Sequence, residues 1–102
     1  MIDEKDLDIM LDAMVEASGY SREQLLGRSR GGVTLCPCRY FIWYHLWYDK
    51  KWSQQQIANP FGRSHCTVLH GIRMADVIIE TPCYKVEQKI YDIFLNILVE
   101  VL

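Results

Sequence analysis

Apolar residues recur three and four positions apart along most of the chain, while strand signals are poor. Leu7, Met10, Leu11, Met14 and Val15 trace one face of a first helix from about Asp3 to Ala17, ended by Gly19. Ser21 with Gln24 has the form of a capping box, so "SREQLLG" predicts a short second helix stopped by Gly27. "RSRGGV" reads as a flexible basic loop. Thr34 is placed to cap a third helix running to about Asp49, with Pro37 tolerated in its first turn.

That third helix, "CRYFIWYHLWYD", is aromatic on every side, the mark of a buried central element, with some tyrosines reaching the surface through their hydroxyls. Ser53 caps a fourth helix, "QQQIAN", which Pro60 and a turn at Gly62 are expected to break. Ser64 caps a fifth, running to about Glu80. After "TPCY", a sixth helix keeps Val86, Ile90, Ile93, Phe94, Ile97 and Val101 at helical spacing. The expectation is an all-α, compact bundle of five or six helices. At 102 residues, with no repeat or linker, it forms one domain.

Charge changes the picture. The net charge of −2 argues against a nucleic-acid partner, because Lys and Arg supply most non-specific affinity for phosphate. Its distribution argues otherwise. Residues 1–27 hold two basic and seven acidic groups, whereas residues 28–76 hold seven basic against two acidic, or +5, together with all three histidines. A chain so divided can present one cationic face. Cys36, Cys38, Cys66 and Cys83 form no disulfide framework and read as free thiols, with Cys36, Cys38 and Cys66 as small residues at helix contacts. The acidic start is unlike a secretory signal and no apolar run is long enough for a bilayer, so a cytoplasmic protein without membrane contact is expected.

The fourth and fifth helices, joined through a short turn containing Gly, have the form of a helix-turn-helix. On the fifth helix Val68, Ile72, Ala75 and Ile79 share an arc that faces the core, with Leu69 at its edge, while Cys66, Thr67, His70 and Arg73 lie opposite. Arg63 precedes the cap, and Ser64 and His65 begin the first turn, the end that touches base edges in a recognition helix. Thr67 suits a thymine methyl or a phosphate, His65 a base acceptor, and Arg63 a phosphate or a guanine edge.

The run "SHCTVLHGIR" after "IANPFGR" resembles the C-terminal DNA-binding domain of the bacterial replication initiator DnaA, whose motif reads Gly-Gly-Arg-Asp-His-Thr/Ser-Thr-Val-Leu-His. "VTLCPCRYFIWYHLWYDKKWSQQQIA" is similar, without a gap, to that domain's stretch from its basic loop through Ala-Arg-Gln to Ser-Leu-Pro-Glu-Ile-Gly. "VEASGYSREQLLGRSR" looks like its opening segment. The resemblance covers about residues 7 to 98. It implies a Trp-repressor-like helical domain that reads short duplex sequences, with the fifth helix in the major groove and the basic loop at a neighbouring minor groove. By position, Ser64, His65, Cys66 and Thr67 take the base-reading and phosphate-contacting turn, Arg63 precedes it, Arg39 takes the arginine of Ala-Arg-Gln, and Arg28 and Arg30 fall in the basic loop.

The chain departs from that pattern at Ser64, where the family has an acidic base-reader, and at Cys66, which replaces a hydroxyl. Its turn is one glycine shorter, and Gly31, Gly32 and Pro37 stand where the family is often more basic. It contains no G-x-x-x-x-G-K-[ST] loop, so no nucleotide is expected to bind and the domain is expected to act without the initiator's ATPase. A zinc site drawn from Cys36, Cys38, Cys66 and His65 or His70 lacks the usual ligand spacing. Cys66 beside His65 is no catalytic dyad, because neighbours on a helix diverge by about 100°. The expected protein is therefore not an enzyme and needs no cofactor or metal. Its partners are double-stranded DNA and, second, other replication or regulatory proteins. The rival reading is a helix-turn-helix scaffold repurposed to bind protein.

Overall fold

In the computed structural model, which describes residues 4–27 and 34–101, the described residues form six helices and no strand. They are α1 (Glu4–Ser18), α2 (Arg22–Leu26), α3 (Leu35–Tyr48), α4 (Gln54–Phe61), α5 (His65–Glu80) and α6 (Lys85–Val101). The architecture is the all-α bundle that the periodicity predicts. No helix among the described residues is long and apolar enough to cross a membrane.

Local chemistry explains most of the boundaries. Gly19, at φ 81°, turns the chain out of α1 through a conformation that costs glycine little. Ser21 and Gln24 make the reciprocal hydrogen bonds of a capping box, and Ser53 with Gln56 makes another at α4. Thr34 departs from expectation. It has helical angles and makes no side-chain cap, because its hydroxyl lies 2.8 Å from the Tyr20 hydroxyl. Pro60 does not break α4 either. Its missing N–H costs at most one bond in the last turn, and the helix continues to Phe61 before Gly62 ends it at φ 62°.

α3 is apolar all round because α1, α2, α4, α5 and α6 all pack on it. Phe41, Ile42 and Leu46 are fully buried in one core cluster with Met14, Ile57, Val68 and Phe94. The closest helix contact is with α5. A Cβ built on Gly71 would stand 2.4 Å from Trp43 Cε3 and 2.7 Å from Tyr40 Cδ1, so the crossing exists only because residue 71 has no side chain.

The two buried polar residues, Arg39 and His45, are both hydrogen-bonded. His45 Nδ1 donates to Asp49 Oδ2 at 2.5 Å, and its Nε2 lies 2.8 Å from the Tyr91 hydroxyl, which joins α3 to α6. Burial pushes the Tyr91 phenol up to about 12. Burial likewise raises the fully buried Cys38 thiol from 9.0 to about 12.

Two outcomes follow. Gly71→Ala should destabilise the fold by about 1–3 kcal/mol in urea unfolding, since the added methyl would force the Trp43 and Tyr40 rings to shift. Above pH 9 the unfolded chain releases the Cys38 proton while the folded chain keeps it to about 12, so alkali favours unfolding. Stability should therefore decline as pH rises from about 9 toward 12, and Cys38→Ala should remove that component of the decline.

Candidate nucleic-acid interface

The three residues Gly62, Arg63 and Ser64 join α4 to α5, completing a helix-turn-helix. Gly62 and Arg63 donate their N–H groups back to Asn59 O and Ala58 O at 3.1 and 3.2 Å, which satisfies the carbonyls at the end of α4. Phe61 then turns inward and meets Trp43 edge to face, with ring centroids 5.5 Å apart. Ser64 Oγ accepts the Thr67 N–H at 3.2 Å and so starts α5 as its cap.

With Val68, Gly71, Ile72, Ala75 and Ile78 buried and Leu69, Met74, Asp76 and Ile79 half-buried, α5 turns its other side chains outward. The buried arc is centred slightly away from the expected one: Ile78 is inside and Ile79 is half-buried. Ser64, His65, Cys66, Thr67, His70 and Arg73 are all exposed. They run from the cap of α5 to just past its midpoint, and no Asp or Glu occurs in the sequence between Asp49 and Asp76. The surface is therefore polar, with Arg73 as its formal positive charge and Asp76 three residues further along the same helix. Ser64 and Thr67 pair their hydroxyls at 3.0 Å, His65 Nε2 lies 3.6 Å from Cys66 Sγ, and the His70 ring stands edge-on to Tyr40.

The remaining candidates are placed differently. Arg28 and Arg30 lie outside the described residues. Arg39 is only 2% exposed and donates to the carbonyls of Leu25 and Gln24 at 2.9 and 2.6 Å, so it faces inward. Arg63 is half-buried and donates to Gly27 O at 2.9 Å. Cys66 and Cys83 are exposed, Cys36 is half-buried and Cys38 is buried; Cys66 therefore fills no helix contact. Among the described residues no group of three or more His, Cys, Asp or Glu side chains is placed to hold a metal ion.

The structure also brings residues to this surface that helical spacing did not single out. Trp47, Ser53, Gln54, Gln55 and His65 line one open hollow of about 410 Å³, which sets the first turn of α4 beside the first turn of α5. The only sequence signal for Gln54 and Gln55 was the Ser53 cap before them. Behind α5, a crevice of about 320 Å³ is lined by Cys36, Arg39, Tyr40, Trp43, Arg63 and Thr67.

The chain matches no family model, no curated protein and no solved structure. Ser64→Ala should cost about 1 kcal/mol of stability in denaturant titration, whereas Ser64→Asp, which also caps, should retain it.

Proposed function

We propose that the protein binds double-stranded DNA in a sequence-specific manner through the α4–α5 helix-turn-helix, in replication initiation or its control. The observation that carries this reading is the single exposed face of α5 bearing His65, Cys66, Thr67, His70 and Arg73. The resemblance of "SHCTVLHGIR" to the initiator's DNA-binding motif supports it. Thr67 offers a methyl and a hydroxyl, and His65 and His70 offer ring donors or acceptors to base edges. Arg73, with Arg28 and Arg30, supplies charge toward phosphates. Gln54 and Gln55, which border the same hollow as His65, would add polar side chains to that contact.

A second reading, binding of a partner protein, draws on α6, where Val86, Ile93 and Val99 are 61%, 40% and 75% exposed. The two readings use different faces and have different salt responses.

Titration of duplex DNA at several salt concentrations decides between them. With about four or five phosphate contacts, the log-log slope of affinity against salt should be about −4. Selection from a random duplex pool should enrich one short motif. His65→Ala should relax base preference, while Arg28→Ala and Arg30→Ala should each weaken all sequences alike and reduce the slope by about 1. Ser64→Asp should change the selected motif. Absence of salt-dependent affinity for any duplex would leave the protein-binding reading in its place.

A further inference from the structure

Helix α6 leaves part of an apolar strip open to solvent. At about 100° per residue, Val86, Ile90, Ile93 and Ile97 fall within an arc about 60° wide, beside the face that buries Tyr91, Phe94 and Leu98. Val86 and Ile93 are exposed, and Ile90 and Ile97 are half-buried. The charges on the solvent side of this strip are ordered along the helix. Lys85 and Lys89, both exposed, stand near its start and the exposed Glu100 near its end, while Asp92 lies further round toward solvent. Among the described residues none of these four takes part in an ion pair.

That order decides which partner fits. A second α6 laid alongside in the same direction sets lysine against lysine and glutamate against glutamate, an unfavourable match. Laid antiparallel about a twofold axis, the helix is complementary to itself. Val86 then faces Ile97 of the second copy, and Ile90 faces its Ile93. A twofold axis also brings the same flank of both helices together. In this register Lys85 stands within two residues of Glu100 of the second copy, an axial offset of about 3 Å that a lysine side chain spans. The helix dipoles oppose one another in the same arrangement.

The surface beside Ile97 suits this register. A hollow of about 160 Å³ opens there, lined by Ile9, Asp12, Ala13, Glu16 and Ile97. Val86 of the second copy comes to lie against Ile97 at its edge, where a small apolar side chain can fill space.

We propose that the protein forms a homodimer through antiparallel pairing of α6, with Val86, Ile90, Ile93 and Ile97 as its apolar seam and Lys85 paired to Glu100 at each end. This rests on the protein-binding reading of the α6 face and names its occupant; it is independent of whether α5 reads DNA. One helix per subunit, about 26 Å long, makes less than a standard interface, so association is expected across about 1–100 μM.

Sedimentation equilibrium of the full chain should show a mass rising from 12.0 kDa toward twice that value over this range. Ile93→Glu, which brings two carboxylates close to the twofold axis, should weaken association at least about tenfold. Lys85→Glu and Glu100→Lys should each weaken it about threefold to tenfold, and the double exchange Lys85→Glu/Glu100→Lys should restore it to within about threefold of the parent. Parallel helices would set the exchanged residues against their own kind, so restoration is particular to the antiparallel register. Lys85 and Glu100 are exposed, so the exchange decides the matter even where Ile93→Glu does not fold.

A mass that stays at 12.0 kDa up to about 1 mM overturns the proposal and leaves the α6 strip to a different protein. A dimer that Ile93→Glu leaves intact, or that the double exchange does not restore, is joined elsewhere and overturns it too. Duplex titration reports separately on α5, so the loss of either reading leaves the other measurable.

Discussion

The approach of α5 to α3 at Gly71 governs the rest of the molecule. With only a hydrogen at that position, Trp43 and Tyr40 lie directly against the α5 backbone, and the rotation of α5 about its own axis is set. That rotation buries Val68, Ile72 and Ala75 and, through the helical repeat, turns Cys66, His70 and Arg73 outward. The contact is favoured even at some polar cost. The buried Trp43 Nε1 has no hydrogen-bond partner among the described residues, so shape complementarity outweighs the satisfaction of one donor. The exposed face of α5 is thus specified from behind, by packing that solvent hardly meets.

Much of this was legible because helical period and capping chemistry are local. Ser21, Ser53 and Ser64 each stand directly before a helix and act through a residue three positions on, so a short window of sequence contains the whole interaction. The exposed face of α5 followed from the same periodicity. What escaped depends on partners distant in sequence. Thr34 looks like a cap until Tyr20, fourteen residues away, takes its hydroxyl. Arg39 looks like a DNA contact until the carbonyls of Gln24 and Leu25 are brought to it. Trp47 and Gln54 join His65 only because the end of α3 passes beside the start of α5.

The division of charge along the chain has a structural counterpart. On α1, Asp8 and Asp12 pair with Arg22, and Asp6 lies 3.5 Å from Lys50 at the end of α3. These are partly exposed pairs that each contribute about 0–1 kcal/mol. Their larger effect is on the field: carboxylates concentrate on α1, while the segment from Lys50 to Arg73 contains no acidic residue. A domain that is weakly acidic in total therefore distributes its charge unevenly along the chain.

The pairing of the first and last helices carries a different consequence. Ile9 and Ala13 of α1 border the same small hollow as Ile97 of α6, so contacts there join residues more than eighty positions apart. Closing so long a loop is entropically slow compared with bringing α4 and α5 together across three residues. Folding should therefore build the α3–α5 frame first and dock the two ends late. Substitutions along the α1–α6 seam then act mainly on how fast the native state opens, so the lifetime of the folded domain is controlled at the junction of its two ends.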